Sequence, residues 1–306
     1  MEFGVHLPHL GRQLEAARLR HFAQRIEELG YHSGWVSDHI AWPRELESQY
    51  PYSDDGGFPA PAGTGWLDPL GTLIYVAACT ERIKLGTTVL ILGYRPPIQT
   101  AKLIATLDAL SNGRTILGVG VGWMREEFEA LGMPFDHRGA RADEHLEIFR
   151  ALFEDVSPSY EGRFNRFPPV GFEPRPVNGR IPIWVGGGTD AAFRRCVRFG
   201  DVLHIAFTPV GEVRTHIDRT RQLAEEAGRD PASVGFSVRV YLDFDGSMDP
   251  RKSLQGRPGE MLETVDAFRE MGVEHILLDP VAHGGADGRL AAIERFAAEV
   301  LPEVTE

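Results

Sequence analysis

Eight short apolar runs punctuate this chain, and a segment of helical period follows each one. The runs are FGVHLP (3–8), SGWVSDH (33–39), IKLGTTVLI (83–91), TILGVGVG (115–122), IPIWVGG (181–187), VLHIAF (202–207), FSVRVYLDF (236–244) and HILLDP (275–280). The helical segments span 13–29, closed by Gly30, then 68–80, 96–111, 138–153, 189–199, 211–227, 259–271 and 287–300. Asp68 followed by Pro69 reads as an N-cap and a first helical position. Runs without polar alternation suit strands covered on both faces. Eight strand–helix units in 306 residues predict a single α/β domain over 1–306, a (β/α)8 TIM barrel. An open doubly wound sheet is the alternative. A barrel gathers its chemistry at the C-terminal ends of its strands.

Two segments break the rhythm. Residues 41–67, AWPRELESQYPYSDDGGFPAPAGTGWL, leave strand two at the catalytic face and read as an active-site lid. Residues 156–180 form a second insertion before strand five, read as a structural hairpin or cover. The net charge of −12 argues against a nucleic-acid partner. No run of about 18 apolar residues predicts a membrane span, and MEFGVHLPHLG lacks the pattern of a signal peptide. Cys79 and Cys196 fall within apolar helical patterns, read as buried thiols compatible with a reducing cytoplasm.

Several residues stand where a barrel would use them. Asp38 and His39 sit at the end of strand two, and Arg239 and Asp279 lie near the ends of strands seven and eight. Imidazole donates and accepts protons near neutral pH, which makes His39 a candidate proton-transfer group. GGGTDAA exposes backbone amides at Gly186, Gly187, Gly188 and Thr189 at the start of a helix, a ready anion site. GVGVG, with Gly120 and Gly122, lacks the third glycine of a dinucleotide fingerprint and does not open a βαβ unit. No His/Cys cluster has metal-ligand spacing, so no metal is expected. A serine nucleophile elbow is absent from the sequence as well.

Taken in order, GYHSGWVSDHI, ERIKLGTTVLIL, LDALSNGRTILGVGVGW followed by EEFEALG, and PIWVGGGT resemble the luciferase-like monooxygenase superfamily. The resemblance runs from Phe3 to about Leu301 and is nearest to the deazaflavin (coenzyme F420)-dependent oxidoreductases. It implies a (β/α)8 barrel with an insertion before strand five. His39 would then face the redox ring, with Asp38 orienting its surroundings. A non-proline cis peptide at Thr88–Val89 would support one face of the ring, although Thr88 stands where many relatives carry glycine. Gly120 and Gly122 would let the backbone approach the ring, and Gly186 to Thr189 would take the phosphate. Glu126 matches a polar position that reaches the redox centre in relatives; beside Glu127 and Glu129 it reads equally well as a solvated carboxylate.

The implied activity is hydride transfer between coenzyme F420 and a small organic substrate, because a reduced deazaflavin reacts poorly with oxygen. An FMN-dependent monooxygenase is the alternative, and a flavin-binding protein without turnover a further one. Trp42, Tyr50, Tyr52 and Trp66 are candidates for lining an apolar substrate pocket. Relatives often pair through the helices after strands two and three. Here 68–80 carries Leu70, Leu73, Ile74, Tyr75 and Val76, and 96–111 carries Leu103, Ile104 and Leu107. Apolar residues on more than one face predict a homodimer there.

Overall fold

A computed structural model describes residues 1–11, 14–58, 60, 63–281 and 285–304. Its eight barrel strands are β1 (Glu2–His6), β2 (Ser33–Val36), β3 (Lys84–Thr87), β4 (Thr115–Gly120), β5 (Ile183–Gly186), β6 (Val202–Ala206), β7 (Gly235–Asp243) and β8 (His275–Pro280). Each pairs in parallel with the next, and β8 pairs with β1, so the sheet closes. The decisive pairing is β4 to β5, Leu117 to Ile183 through Val119 to Val185. Closure rules out the open doubly wound sheet and makes the chain a (β/α)8 barrel.

The principal helices are α1 (Ala16–Glu28), α2 (Pro69–Ala77), α3 (Pro97–Leu110), α4 (Arg125–Ala130), α5 (Arg138–Glu154), α6 (Asp190–Phe199), α7 (Val210–Glu226), α8 (Pro258–Met271) and α9 (Ala286–Glu299). Asp68 caps α2 through a bond from the Gly71 amide at 2.9 Å, with Pro69 in the first turn. The expected third strand is shorter than IKLGTTVLI. It stops at Thr87, the Thr88–Val89 peptide is cis, and Leu90–Ile91 pairs separately with Val119 and Gly120. None of the described helices is long and apolar enough to cross a membrane.

Inside the barrel the filling is unusual. TIM-barrel interiors are mostly branched aliphatics; here Trp35 and Trp184 pack at 4.8 Å between ring centroids, with Ile116 and Leu277. Small residues opposite make room for them. A Cβ on Gly86 would lie 2.3 Å from the Trp35 ring, and one on Gly4 would lie 2.5 Å from its Nε1.

A chain of hydrogen bonds threads the same interior. It runs from Thr88 Oγ1 to His204 Nε2 (3.0 Å), from His204 Nδ1 to Ser237 Oγ (3.1 Å), and from Ser237 Oγ to His275 Nδ1 (3.0 Å). It continues from His275 Nε2 to Ser33 Oγ (3.0 Å), which also accepts from Trp35 Nε1 at 2.7 Å. Every imidazole nitrogen in this thread has a partner, so four strands are tied to the foot of the Thr88–Val89 bulge without a stranded polar group.

The long loop over 41–67 is held at several points. Gly65–Trp66 pairs antiparallel with Leu10–Gly11, and the amides of Glu47 and Ser48 donate to Glu126 Oε1 at 2.7 and 2.8 Å. Asp54 meets Lys252 and Arg251. Residues 156–180 carry a two-stranded hairpin, Tyr160–Glu161 against Arg166–Phe167. Its turn is held by Glu144, which accepts from the amides of Arg163, Phe164 and Asn165.

Burial pushes the His204 imidazole down to about 3 and that of His9 to about 4. An unfolded chain binds protons at these rings below about pH 6.5, where the folded chain leaves them neutral. This contribution to stability is therefore complete above about pH 6.5 and is lost as pH falls toward the folded values. Each ring gives up about 2 kcal/mol by pH 5. Chemical denaturation at pH 7.5 and at pH 5 should show a loss of at least that size; equal stability at the two pH values would contradict the assignment.

Candidate active site

A cavity of about 1070 Å³ opens at the C-terminal ends of the strands, large enough for a cofactor-sized ligand. Its wall includes Asp38 and His39 after β2, Thr88 and Val89 after β3, and Gly120 and Gly122 at β4. Gly186 to Thr189 follow β5. Tyr50, Tyr52, Phe58 and Trp66 of the long loop close over it.

Asp38 and His39, neighbours in sequence, do different work. Asp38 turns away into protein. Arg95 grips it in a bidentate fork, Nη1 to Oδ2 at 2.7 Å and Nη2 to Oδ1 at 2.9 Å, and the Ile91 amide donates to Oδ2 at 2.9 Å. Burial raises its pKa and Arg95 opposes the shift; a bidentate fork is the geometry of an ionised carboxylate. Arg95 reaches on to Asp68 at 2.8 Å, the cap of α2. Asp38 is thus an anchor for the bulge after β3.

His39 remains at the cavity. Its Nδ1 meets Glu127 Oε2 at 2.6 Å, within a wall formed by Trp42, Phe58, Trp66 and Trp123. Glu127 is fully buried and accepts three further bonds: Tyr94 Oη to Oε2 at 2.8 Å, and the Ile40 and Ala41 amides to Oε1 at 2.5 and 3.0 Å. Burial alone would raise this carboxyl, but the bonds from His39, Ile40 and Tyr94 hold it below its ordinary value. An ionised Glu127 keeps a proton on His39 Nδ1 and leaves Nε2 outside this pair.

The bulge rests in a socket made by absent side chains. A Cβ on Gly120 would lie 2.4 Å from Val89 Cγ2, and one on Gly186 would lie 2.7 Å from Val89 Cγ1. Glycine at these positions admits Val89, so the reason for it is the seating of the bulge rather than direct approach to a ligand. At Gly122 a Cβ would meet Phe128 and Ile91.

After β5 the cavity turns cationic. Thr189 caps α6 by accepting from the Ala192 amide at 3.4 Å, while the amides of Asp190 and Ala191 have no partner within the helix. Arg138 and Arg195 line the same end; Arg138 Nε donates to Gly122 O at 3.1 Å and Arg195 Nη2 to Gly139 O at 3.0 Å. Helix amides and the Arg138 guanidinium suit a phosphate, while Arg195 beside them is already paired with Asp143 at 2.5 Å. The donor set and the size of the cavity therefore fit a phosphorylated flavin or deazaflavin.

The family profile described as luciferase-like monooxygenase matches residues 1–249. The chain belongs to the luciferase-like monooxygenase family. Among its relatives is an uncharacterised protein of Mycobacterium tuberculosis, 37% identical over 236 residues, 77% of this chain and 80% of the relative. An F420-dependent glucose-6-phosphate dehydrogenase of Intrasporangium calvum is 27% identical over 91% of this chain and 92% of its own. A monooxygenase of Streptomyces bottropensis superposes with a TM-score of 0.78 at 24% identity, over 99% of this chain and 100% of the other. An F420-dependent secondary alcohol dehydrogenase gives 0.78 at 17% identity, over 98% of each chain.

Within this luciferase-like barrel, sequence reasoning placed Asp38, His39, Thr88, Val89, Gly120, Gly122 and Gly186 to Thr189 on the cavity wall, and the structure brings them together there. Glu126 is elsewhere: its Oε1 holds the amides of Glu47 and Ser48, and the carboxylate that meets His39 is its neighbour Glu127. A legible signal existed. Met124, Phe128 and Leu131 mark the inward face of α4 and its flanks, and Glu127 lies on that face. Arg95, Arg138 and Arg195 were missed because nothing local distinguishes them from solvated arginines.

Asp38→Asn should cost about 3 kcal/mol, the low end for breaking a buried pair, since Asp68 still faces Arg95. Equilibrium urea unfolding measures it; a loss under about 1 kcal/mol would strip Asp38 of its anchoring role.

Proposed function

We propose that this luciferase-like protein transfers a hydride between coenzyme F420 and a small organic substrate. The observation that carries the reading is His39, held by Glu127 with Nε2 left for proton exchange, on the same cavity wall as the Val89-seated bulge. Similarity to F420-dependent dehydrogenases along nearly the whole chain favours the deazaflavin over FMN. When bound, the deazaflavin supplies a carbon centre that accepts or donates the hydride.

The chain's own residues supply the remainder. The Gly187–Ala191 turn, Arg138 and Arg195 hold the phosphate, and Val89 supports the ring. Hydride transfer at a C–O carbon moves one proton with it: an alcohol oxygen loses a proton as the carbonyl forms, or a carbonyl oxygen gains one. His39 Nε2 takes or gives that proton, and Glu127 stabilises the imidazolium while it exists. Residues 41–67 act as a lid, and their aromatic side chains keep water from the reacting atoms.

His39→Ala should leave folding intact and cofactor affinity within several-fold, while single-turnover hydride transfer slows by about 10² to 10⁴. Unchanged rates would remove His39 from the chemistry. Titrating the apoprotein with the oxidised deazaflavin and with FMN tests the cofactor; tight binding of FMN alone would favour the monooxygenase reading.

We further propose a two-fold homodimer through α2 and α3. Leu70, Leu73, Val76, Ile104 and Leu107 are buried within the chain itself and contribute nothing to a partner. The apolar surface left over is Ile98 and Leu110, the latter 63% exposed, with Ile74, Tyr75 and Leu103 partly buried. Light scattering at micromolar concentration should report a mass near twice 33.9 kDa, and a monomer would exclude the pairing.

A further inference from the structure

A second charged cluster lies at the ends of β7, β8 and β1, apart from the cradle after β5. Asp279 sits between two arginines. Arg239 Nη2 donates to its Oδ2 at 2.5 Å, and Arg289 Nη2 donates to its Oδ1 at 3.1 Å. Arg239 Nη1 also reaches Thr88 O at 3.1 Å, and Arg289 Nη2 reaches His6 O at 3.2 Å. Among the described residues, both guanidinium groups keep one buried N–H without a partner, the Nε of Arg239 and the Nε of Arg289. Such a group carries a desolvation penalty, larger for a cation, unless something accepts from it.

The charges do not balance either. Two arginines against one aspartate leave +1, because burial holds His6 well below its ordinary pKa and therefore neutral. The adjacent anions do not supply a counter-charge: Asp54 is paired with Lys252 and Arg251, and Asp249 with Arg251. Burial raises the phenol pKa values of Tyr50, Tyr52 and Tyr241, so these neighbours are neutral too. An uncompensated, largely buried charge is costly unless an anion completes it.

We propose that Arg239 and Arg289 bind the carboxylate of a monoanionic substrate. The inference rests on the proposed oxidoreductase reading for the word substrate, and on the cluster itself for the anion. The count of +1 selects a carboxylate over a phosphate monoester, whose charge of about −1.5 to −2 would leave surplus negative charge beside Asp279. Phe207, stacked on Tyr241 at 4.3 Å and lying under Arg239, gives the site an aromatic floor. From there Tyr52, Tyr50, Trp123 and Phe58 form a continuous aromatic wall leading to His39. The substrate is thus a carboxylic acid with an apolar body, its anion at the arginines and its reacting carbon toward His39.

The test is calorimetric titration of the full chain, both apo and loaded with its cofactor, using benzoate, the neutral isostere benzamide, and phenyl phosphate. Benzoate should bind at least about tenfold more tightly than benzamide to the loaded protein, as expected for a charge-assisted contact. Arg289→Gln should reduce that preference to within about twofold with cofactor affinity unchanged. Arg289→Lys keeps the charge without the fork and should give an intermediate preference, which carries the test if the glutamine variant fails to fold. Equal or undetectable binding of benzoate and benzamide would overturn the inference. So would displacement of benzoate by the cofactor, which would give the arginines to the cofactor, or tighter binding of phenyl phosphate. None of these readouts requires hydride transfer. Loss of the benzoate preference in a protein that still needs His39 for turnover would refute this inference alone. The preference persisting without His39-dependent turnover would leave the anion site standing and refute the proposed chemistry.

Discussion

One carboxylate, that of Glu127, organises the working half of the barrel. It is fully buried and gathers four donors from two other parts of the chain: His39, Tyr94, and the amides of Ile40 and Ala41. A charge in that position is costly unless every lone pair is used. The cost is offset by bonds that tie the first turn of α4 to the end of β2 and to the segment after β3. The same bonds fix the imidazole, set its tautomer and define where the long loop leaves the barrel. His39 and the loop are therefore not independent features, since a shift of α4 would disturb both.

Asp38 does for the bulge what Glu127 does for the imidazole. Its bonds to Arg95 and the Ile91 amide hold the segment following Val89, while Val89 itself fills the space left by Gly120 and Gly186. Thr88 ties the bulge to the barrel interior through His204, Ser237 and His275. The bulge is thus held from three directions, by an ion pair, by packing into a glycine socket and by a polar thread. Such over-determination suits the ring-supporting role proposed for the bulge, because preorganised groups need not move when a ligand arrives.

Charge is distributed unevenly. The chain carries −12 overall, yet the cavity is lined by Arg138, Arg195, Arg239, Arg251, Lys252 and Arg289. Four acidic side chains, Asp38, Asp54, Glu212 and Asp279, line it as well, so basic groups outnumber acidic ones where the strands end. A basic concavity in an acidic protein focuses its field on the ligand and attracts anions to the site while the rest of the surface repels them.

The barrel was legible in the sequence because its signal is local. Eight apolar runs, each followed by helical period, leave few ways to bury both faces of every strand. Asp68–Pro69 and Gly30 mark helix ends through chemistry that acts within a few residues. The positions of Asp38, His39 and the glycines on one cavity wall followed from strand ends, and those of Thr88 and Val89 from the family resemblance. The sequence did not reveal which side chain meets which. Nothing in SDHI separates the buried anchor Asp38 from the imidazole left at the cavity, and nothing in REEFEALG names Glu127 over Glu126 without knowing the inward face of α4. The glycines of GVGVG and GGGT look like a ligand cradle in one dimension, whereas in three dimensions two of them make way for Val89. The pairing of Asp279 with Arg239 and Arg289 joins residues as many as 40 positions apart. Closure of the barrel decided these contacts, because only closure brings the ends of eight strands to one rim and removes water from the charges that meet there.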